Sequence, residues 1–521
     1  MGRLKIRNIQ KFFGPPGTGK TTKLLDLVEQ HLDDGVQPDR IAFISYSVKA
    51  ATEAKNRAYA SLGLGFDEMP YFCTSHAFCK RALAIGRVMS GEDIRDFLEE
   101  YSFNLTKNYK MDKKQSLDKM LEDPYFQLIE NSKANCRDIE EERLNCDVAL
   151  RKNVVPVILK NIYDAWEEYR TQSFPVIYSF ADMIKEFVER GLCPPLDVLI
   201  VDEAQDLAEL NWRLVDVLSA NVDKTYIAGD DDQAIYEWSG ARPDRFVDYE
   251  GKNIVLNQSF RIPKTVHNVA ERISNKIRKR ADKEYKPREQ EGAVTEVSSV
   301  NLLPLEKGNW LILSSCDYML SDYNKGYSTR KHLINNGYPF SHNHYRYIPY
   351  KMIAAMDAWE KLNSEGVLTM AQLGDLYAYL GKAHVKRGFI TKVLNDENKG
   401  QELTKQQILD NYGLKEETLG GDWQETFNKT IDVERRAFIE KAKNNNEDLH
   451  GEPRIAISTI HQAKGGEADN VAVLLDISPA IKQNFLLNPD GLHRQFYVAV
   501  TRALENLYIV QARNEYYRYL I

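Results

Sequence analysis

The sequence lacks the features of secreted, membrane-spanning and disulfide-stabilised proteins. No apolar run approaches the roughly 18 residues that a membrane helix needs, and the N-terminal residues MGRLKIRNIQ contain no apolar core of a signal peptide. The six cysteines include no Cys-x-x-Cys pair, so neither a zinc knuckle nor an iron–sulfur cluster is indicated. We therefore expect a soluble intracellular protein with reduced thiols.

The sequence also lacks an excess of positive charge. The net charge is −7 and the isoelectric point is about 5.9, whereas a nucleic-acid backbone attracts clustered lysine and arginine. One segment departs from this composition, because residues 272–288 (RISNKIRKRADKEYKPR) are dense in basic side chains. This segment is either a nucleic-acid contact or a solvated helix face, and the sequence leaves both open.

The order of apolar segments predicts an α/β fold. Short β-branched runs alternate with helical patterns, which is typical of parallel sheets covered by helices. The predicted strands form two clusters, namely Ile9–Phe13, Ile41–Ser45, Val198–Val201, Thr225–Ala228 and Ile254–Leu256, then Trp310–Ser314, Ile455–Ser458, Val471–Leu475 and Leu507–Val510. Charged helical segments between Cys79 and Phe180, and between about Tyr345 and Asn446, predict an insertion in each half.

A glycine-rich segment predicts a nucleotide site. It follows the first predicted strand and precedes the predicted helix Thr22–His31, which is the context that a phosphate-binding loop requires. Backbone N–H groups would hold the β-phosphate of ATP, Lys20 would reach the β- and γ-phosphates, and Thr21 would bind Mg²⁺. The alternative is a glycine-rich turn without a ligand. The predicted nucleotide-binding residues of this segment are Gly14, Pro15, Pro16, Gly17, Thr18, Gly19, Lys20, Thr21 and Thr22.

A second motif, which is acidic, supports the nucleotide site predicted from the glycine-rich segment. The apolar run Leu199–Val201 ends in Asp202 and Glu203, so the two carboxylates emerge where a parallel strand ends and ligands bind. Asp202 is the predicted second ligand of Mg²⁺, and Glu203 is the predicted base that orients and deprotonates the attacking water. Without the phosphate loop, a strand that leads into a polar loop would explain this pattern equally well.

Four further motifs follow in order, and together with the first two they identify a family. They are GDDDQAIYEW from Gly229, QSFR from Gln258, TIHQAKGGE from Thr459 and YVAVTRA from Tyr497. With these motifs the chain resembles the UvrD/Rep/PcrA group of superfamily 1A helicases. The resemblance extends from residue 9 to about residue 510 and is indistinct in the two insertions.

The resemblance implies a domain organisation. It implies two RecA-like P-loop NTPase domains with parallel sheets, each interrupted by a mainly helical insertion. The expected bounds are 1–84 and 166–250 for motor domain 1A, 85–165 for insertion 1B, 251–344 and 447–521 for motor domain 2A, and 345–446 for a shortened 2B-like insertion.

The resemblance also implies roles around the nucleotide. Arg261 and Arg502 would both reach the γ-phosphate from the second motor domain, where a planar guanidinium stabilises transferred charge. Gln233 would sense the γ-phosphate and connect it to the DNA track. Phe260 stands where the family has a tyrosine that stacks on adenine, and Glu467 resembles the acid that meets the ribose. The predicted catalytic residues are Lys20, Glu203, Gln233, Arg261 and Arg502.

On the nucleic-acid side, two aromatic residues match base-stacking positions of the family. Tyr46 would border a base pocket and Trp238 would stack on a base, although core packing is the usual role of an isolated aromatic residue. Stacking faces tolerate every base, so little sequence specificity is expected. The other predicted DNA-binding residues are Ser47, Thr74, His76, Tyr236, Thr459 and His461.

The chain departs from the family pattern at several positions. The glutamine-containing motif usual about twenty residues before the phosphate loop is not found in the thirteen residues ahead of Gly14, so the sequence leaves open how strictly ATP is preferred over other nucleoside triphosphates. Ser239 stands where an arginine is common, and Val48 replaces a usual asparagine. Gly466 and Ala468 replace bulkier residues.

Taken together, these features and the resemblance predict an ATP- and Mg²⁺-dependent helicase on single-stranded DNA, and the resemblance implies 3′-to-5′ movement. It would unwind duplex junctions in replication, repair or recombination, in the cytoplasm of a bacterium or of a phage-infected cell. Two alternatives stay open. One is an ATPase stimulated by single strands that displaces proteins or acts as a scaffold without unwinding, and the other is a nucleotide switch or an RNA motor.

Overall fold

The computed structural model describes most of the 521 residues. The described ranges are 8–103, 117–121, 123–146, 148–321, 329–380, 383–421, 423–427 and 430–521. The remaining residues of both predicted insertions, 104–116, 122, 147, 381–382, 422 and 428–429, therefore lie outside the described part.

The chain forms two compact units. The first comprises Met1–Gly292, Ser478–Thr501 and Ile521, and the second comprises Ala293–Ile477 and Arg502–Leu520. Residues 251–292, expected from the sequence in the second motor domain, are grouped with the first unit, because the strand that begins at Lys252 pairs with the strand that begins at Ile9. The predicted domain bounds themselves stay a prediction.

The first unit contains a six-stranded parallel sheet with the order β3-β2-β4-β5-β1-β6. Its strands are β1 (Ile9–Phe13), β2 (Ile41–Ser45), β3 (Phe72–Thr74), β4 (Val198–Asp202), β5 (Lys224–Gly229) and β6 (Lys252–Val255). The register places Phe13 opposite Gly229 and Ser45 opposite Asp202. The carboxyl ends of β1, β2, β4 and β5 therefore meet at one edge of the sheet.

Alternate side chains of the central strand β4 enter two different cores. Val198 and Ile200 pack into one hydrophobic cluster, and Leu199 and Val201 pack into another on the opposite face. Both faces are covered by helices, which explains why this strand is apolar from Val198 to Val201. The helices are α1 (Lys20–Asp33), α2 (Val48–Leu62), α3 (Ser75–Ala82), α4 (Gly91–Glu100), α5 (Leu117–Leu121), α6 (Pro124–Ala134), α7 (Ile139–Asn145), α8 (Val148–Lys152), α9 (Pro156–Gln172), α10 (Phe180–Arg190), α11 (Glu209–Ser219), α12 (Pro243–Asp248) and α13 (Lys264–Ser274).

The helices from α4 to α9 have a core of their own. Phe97, Leu128, Ile162 and Trp166 are fully buried in a cluster that is separate from the two clusters at the sheet. The aromatic rings of Phe97 and Trp166 meet edge to face at 5.1 Å. This helical region overlaps the first insertion expected from the sequence, whose bounds stay a prediction.

The second unit contains a seven-stranded sheet with the order β10-β9-β13-β8-β14-β15-β7, parallel except for the pair β9 and β10. The strands of the unit are β7 (Ala293–Val297), β8 (Trp310–Ser314), β9 (Phe340–His342), β10 (Tyr345–Arg346), β11 (Val367–Thr369), β12 (Glu402–Thr404), β13 (Ile455–Thr459), β14 (Ala468–Leu474) and β15 (Ala503–Val510). Strands β11 and β12 form a separate antiparallel pair. The two parallel sheets confirm the α/β class predicted from the sequence.

The helices of the second unit share one core with its sheet. Trp310 and Ile457 of the sheet lie in the same cluster as Met356, Trp359 and Leu376 of the helices. These helices are α14 (Thr329–Asn336), α15 (Tyr350–Ser364), α16 (Met370–Leu380), α17 (Phe389–Leu394), α18 (Lys405–Asn411), α19 (Trp423–Thr426) and α20 (Val433–Asn444). Between β14 and β15 the chain returns to the first unit and forms α21 (Pro479–Leu487) and α22 (Pro489–Val500).

No helix in the described part of the chain combines the length and the apolar character needed to cross a membrane.

Candidate nucleotide and nucleic-acid site

The glycine-rich loop connects β1 to α1, as the sequence predicts. The Gly14 N–H donates to the carbonyl of Gly229 at 2.9 Å, which joins the loop to the end of β5. Gly17 and Gly19 have φ angles of 72° and 76°, in the left-handed region that favours glycine. Lys20 begins α1, and its Nζ donates to the Gly14 carbonyl at 2.8 Å. The lysine ammonium thus lies inside the loop where phosphate oxygens would be held.

Two oxygen ligands suited to Mg²⁺ lie at the start of α1 and the end of β4. The hydroxyl of Thr21 donates to Oδ2 of Asp202 at 3.1 Å, and Asp202 is buried. Burial, and then the neighbouring carboxylate of Glu203, raise the pKa of Asp202 to about 7, against the opposing effect of Lys20. A hydroxyl and a carboxylate are hard oxygen donors of the kind that Mg²⁺ accepts. The side chains at this position therefore fit the predicted metal ion.

Glu203 is held in a definite orientation beside Asp202. Its φ of 55° is left-handed, and its N–H donates to Oδ1 of Asp202 at 2.9 Å. Its carboxylate accepts a hydrogen bond from Nε2 of Gln205, whose Oε1 accepts from the N–H of Asp230 at 3.0 Å. The fully buried Gln205 thus connects the predicted base to the Gly229–Trp238 motif. Gln205 has no predicted role from the sequence, although it lies in the same acidic motif.

The QSFR segment is docked against the phosphate loop within the first unit. Ser259 donates from Oγ to the Pro16 carbonyl at 2.8 Å, and the Phe260 N–H donates to the Gly17 carbonyl at 2.9 Å. A Cβ at Gly17 would lie 2.3 Å from the Cβ of Arg261. The resemblance predicts Arg261 in the second motor domain. Its contacts instead place it in the first unit, beside the phosphate loop. The Phe260 ring is 73% exposed, so its face is open to a base.

Four of the predicted site residues belong to the second unit, namely Thr459, His461, Glu467 and Arg502. Thr459 is the last residue of β13, and its hydroxyl accepts from the Gln462 N–H at 3.4 Å. Arg502 is buried and donates from Nη1 to the Gly466 carbonyl at 3.4 Å, next to Glu467. The predicted roles of these residues and of His461 toward nucleotide and DNA stay predictions.

The three aspartates of the GDDDQ turn surround one buried lysine. Oδ2 of Asp230 accepts from Nε2 of Gln233 at 2.7 Å, and Oδ1 of the same carboxylate lies 3.0 Å from the Lys283 ammonium. Lys283 also contacts Asp231, and it lies 3.1 Å from Asp232. The side chains of Lys283 and of all three aspartates are fully buried. The pKa of Lys283 is raised by these carboxylates although burial opposes the shift.

These contacts resolve part of the question left by the basic segment 272–288. Lys283 and Arg280 contact the aspartates of the turn, with Arg280 Nη2 at 2.7 Å from Asp232. They are therefore neither a solvated helix face nor positioned for a phosphate backbone. Helix α13 ends at Ser274, before most of the basic residues. The sequence alone could not show this, because the partners lie about fifty positions away.

Three predicted DNA-binding aromatic residues lie together at the same sheet edge. The rings of Tyr46 and Tyr236 are stacked with centroids 6.1 Å apart, and Tyr236 meets Trp238 edge to face at 6.4 Å. The Tyr46 hydroxyl is hydrogen-bonded to the side chain of Ser239, where the family usually has an arginine. Trp238 is 51% exposed, which distinguishes it from a core tryptophan such as Trp212.

Ser47 and Thr74 mark two helix N-termini beside this aromatic cluster. Their hydroxyl oxygens accept from the N–H groups of Ala50, at 3.1 Å, and Ala77, at 3.3 Å, and so cap α2 and α3. Free N–H groups and the positive ends of helix dipoles attract anions. The capping role is structural and uses the hydroxyl oxygens as acceptors.

His76 does not supply a positive charge at neutral pH. It lies in the first turn of α3, and its ring meets the Phe180 ring at 5.4 Å. Burial lowers the pKa of His76 to about 4. A contact of His76 with a DNA phosphate would therefore use a neutral imidazole N–H.

Comparison with known proteins agrees with the motifs. Residues 11–253 match the family model of the UvrD/REP helicase N-terminal domain, and residues 338–514 match that of the UvrD-like helicase C-terminal domain. The matches span the phosphate loop and aromatic cluster in the first unit, and most of the second unit.

Several curated bacterial proteins are similar to this chain. A probable DNA helicase II homolog of Mycoplasma capricolum is 26% identical over 392 residues, covering 69% of this chain and 49% of that protein. The ATP-dependent DNA helicase PcrA of Leuconostoc citreum is 25% identical over 284 residues, covering 51% of this chain and 37% of that protein. This chain thus spans about half or less of the length of these relatives.

Among solved structures, the helicase of PRRSV aligns over 97% of this chain and 53% of its own, with 11% identity and a TM-score of 0.32. The two parallel sheets, with the phosphate loop after the first strand, are those of RecA-like domains. By its two matched domains and its ordered motifs, the chain belongs to the UvrD/REP helicase family.

Proposed function

We propose that this protein is an ATP-driven motor that moves 3′ to 5′ along single-stranded DNA and separates duplex strands. The observation that best supports the proposal is the position of the nucleotide loop and the aromatic cluster. The nucleotide loop and the aromatic cluster share one edge of the first sheet. Gln205 joins the predicted base Glu203 to Asp230, which lies in the same motif as Tyr236 and Trp238. A chemical event at the nucleotide and a change at a stacked base would therefore act on the same hydrogen-bonded network.

In this proposal the phosphates of ATP occupy the loop from Gly14 to Thr21. Lys20 would exchange its bond to the Gly14 carbonyl for bonds to the β- and γ-phosphate oxygens. Thr21 and Asp202 would hold Mg²⁺, which supplies positive charge to the phosphate oxygens. The exposed ring of Phe260 would stack on the base.

Glu203 would orient the attacking water and accept its proton. The Gln205 side chain donates to its carboxylate and limits its rotation, which is what a base held for one geometry requires. Arg261, next to Gly17, would stabilise the charge on the transferred γ-phosphoryl group. Gln233, Glu467 and Arg502 keep the roles implied by the family resemblance.

On the DNA side, Trp238 and the ring pair Tyr46 and Tyr236 would hold successive bases by stacking. Each stacked base contributes on the order of 1–3 kcal/mol without regard to its identity. The helix N-termini capped by Ser47 and Thr74 would receive backbone phosphates. The direction of movement, the duplex junction as substrate and a role in replication, repair or recombination rest on the resemblance to the UvrD/Rep/PcrA group.

Strand displacement tests this proposal. The chain is incubated with ATP, Mg²⁺ and labelled duplexes that carry a single-stranded tail on the 3′ side, on the 5′ side or on neither. We expect unwinding of the 3′-tailed duplex only. Faster unwinding of the 5′-tailed duplex would contradict the polarity. ATPase stimulation by single strands without any unwinding would contradict the helicase activity and favour a protein-displacing translocase, and equal stimulation by RNA would contradict the DNA preference.

A further inference from the structure

Arg494 is a buried arginine of α22 that bonds to three separate segments of the first unit. It is 3% exposed, and three of its nitrogen atoms have different partners. Nε donates to the carbonyl of Asp231 at 2.9 Å, Nη1 to Oε1 of Glu237 at 3.0 Å, and Nη2 to the carbonyl of Lys279 at 2.7 Å. The sequence predicts no role for Arg494 or Glu237.

Two of these partners, Asp231 and Glu237, each begin a short 3-10 helix of the GDDDQAIYEW motif. Asp231 begins the short 3-10 helix that ends at Gln233, the predicted sensor of the γ-phosphate. Glu237 begins the next 3-10 helix, whose second residue is Trp238. A single planar guanidinium therefore fixes the distance between the turn that senses phosphate and the loop that stacks on a base.

Glu237 is partly exposed and forms an ion pair with Arg494 at 3.0 Å. Burial is the first cause that raises the pKa of Glu237, the nearby carboxylates of Asp490 and Asp244 act in the same direction, and Arg494 acts against them. A Cβ at Gly491 of α22 would lie only 3.4 Å from Oε2 of Glu237, so the carboxylate is packed against the helix backbone. Movement of Glu237 would therefore be transmitted to Arg494.

Helix α22 is also attached by a second, separate contact. The Asp490 carboxylate accepts from the N–H groups of Arg278, at 3.2 Å, and Lys279, at 3.1 Å. The same carboxylate also accepts from Nε of Arg278 at 3.3 Å, and none of these partners belongs to the motif that contains Gln233 and Trp238. This contact offers a means of separating the attachment of the helix from any effect on the motif.

We propose that Glu237 and Arg494 are positioning residues that couple DNA binding at Trp238 to phosphate sensing at Gln233. A base that stacks on Trp238 shifts Glu237, and Arg494 transfers the shift to the Asp231 carbonyl and so to the turn that ends at Gln233. The proposal rests on the proposed function of the site. Helix α22 ends at Val500, two residues before Arg502, so the same helix leads along the chain into the second unit.

The test measures the coupling factor in the full chain, which is the factor by which a bound ATP analogue changes the affinity for single-stranded DNA. The affinity for fluorescent oligo(dT) is measured with and without a non-hydrolysable ATP analogue, and the reciprocal experiment checks the same factor. In the wild-type protein we expect a factor within the usual range of about 5- to 150-fold. Glu237→Gln, which keeps the shape and removes the charge, is expected to bring the factor within about twofold of unity while basal ATPase stays within about twofold of wild type.

Two further variants separate coupling from stability. Arg494→Lys keeps a positive charge but loses the planar fork that reaches both carbonyls, and it is expected to lower the coupling factor as well. Asp490→Asn, on the same helix, is the matched control. We expect it to lower the melting temperature and to keep the wild-type coupling factor. If Arg494 only held α22 in place, loosening the helix through Asp490→Asn would lower the coupling factor as well.

The outcomes distinguish this inference from the proposed function. A wild-type ATPase that does not respond to single-stranded DNA overturns both. A responsive wild type with an unchanged coupling factor in Glu237→Gln overturns only the positioning role. An equal loss of coupling in Asp490→Asn also overturns it, since any loosening of α22 would then suffice.

Discussion

Gln205 bonds to both Glu203 and Asp230, through Nε2 to the first and through Oε1 to the backbone N–H of the second at 3.0 Å. The side chain is fully buried, and a Cβ at the neighbouring Gly229 would lie 2.5 Å from its Oε1. The amide is therefore confined to one orientation, with its donor toward the predicted base and its acceptor toward the GDDDQ turn.

Replacement of Gln205 by alanine is expected to slow ATP hydrolysis. Glu203 would lose the donor that orients it, and the buried Asp230 N–H would lose its acceptor, at a cost of about 1–3 kcal/mol in stability. We expect kcat to fall by roughly tenfold or more while ATP affinity is kept, as loss of orientation predicts. Steady-state kinetics and chemical denaturation measure the two effects. An unchanged kcat in a destabilised protein would show that Gln205 only supports the fold.

Replacement of Gly17 by alanine is expected to abolish nucleotide binding. The residue has a φ of 72°, and its new Cβ would lie 2.3 Å from the Cβ of Arg261. The loop and the QSFR segment would have to separate. Gly35→Ala is the matched control, because Gly35 has a φ of 89° but no atom within 4 Å of the added Cβ. Gly35→Ala should lose about 1 kcal/mol of stability and retain ATP affinity, and equal ATP binding by both variants would contradict the close docking.

Replacement of Trp238 by alanine is expected to weaken binding of single-stranded DNA. The loss of one stacking platform corresponds to about 1–3 kcal/mol, or roughly a 5- to 150-fold rise in Kd, while basal ATPase persists. Phe174→Ala is the control, since Phe174 is 97% exposed in the same unit and lies outside the aromatic cluster. Fluorescence anisotropy with oligo(dT) compares the two. Equal affinities in both variants would assign Trp238 a packing role.

Mildly acidic conditions are expected to destabilise the protein through His76. Its pKa is about 4 in the folded chain because burial disfavours the imidazolium, whereas an unfolded histidine titrates near 6.5. The unfolded state therefore binds the proton first, and stability falls as the pH drops from about 6.5 toward 4. His76→Gln should reduce this slope by up to about 1.4 kcal/mol per pH unit. Parallel stability curves for both proteins would refute the burial of a neutral His76.

Much of the sheet architecture could be predicted from the sequence. Strands β1, β2 and β8 have the predicted bounds, and the predicted helix Thr22–His31 lies within Lys20–Asp33. The strands are mostly apolar and buried, and the helix has one buried apolar face, so local pattern and tertiary environment agree. Strand β3 has only three residues, and β7 is mostly exposed with polar positions, so neither has a recognisable apolar pattern.

The nucleotide loop was predictable because its residues are contiguous and their spacing has a direct physical reason. The contacts of Lys283 and Arg494 were not, because their partners are distant in sequence. Arg494 lies 263 positions from Asp231, and no local periodicity marks such a pair. The basic composition of 272–288 was ambiguous for the same reason, since charge alone does not reveal whether a cation faces solvent or a buried aspartate.

The most direct test of the account is the ATPase rate of the chain with and without single-stranded DNA, in the wild type and in Glu203→Gln. The account predicts that DNA stimulates the wild type several-fold, and that Glu203→Gln binds ATP and DNA normally while turnover falls by roughly a hundredfold or more, as loss of a water-orienting base requires. A wild-type rate that DNA does not change, or near-normal turnover in Glu203→Gln, would contradict it.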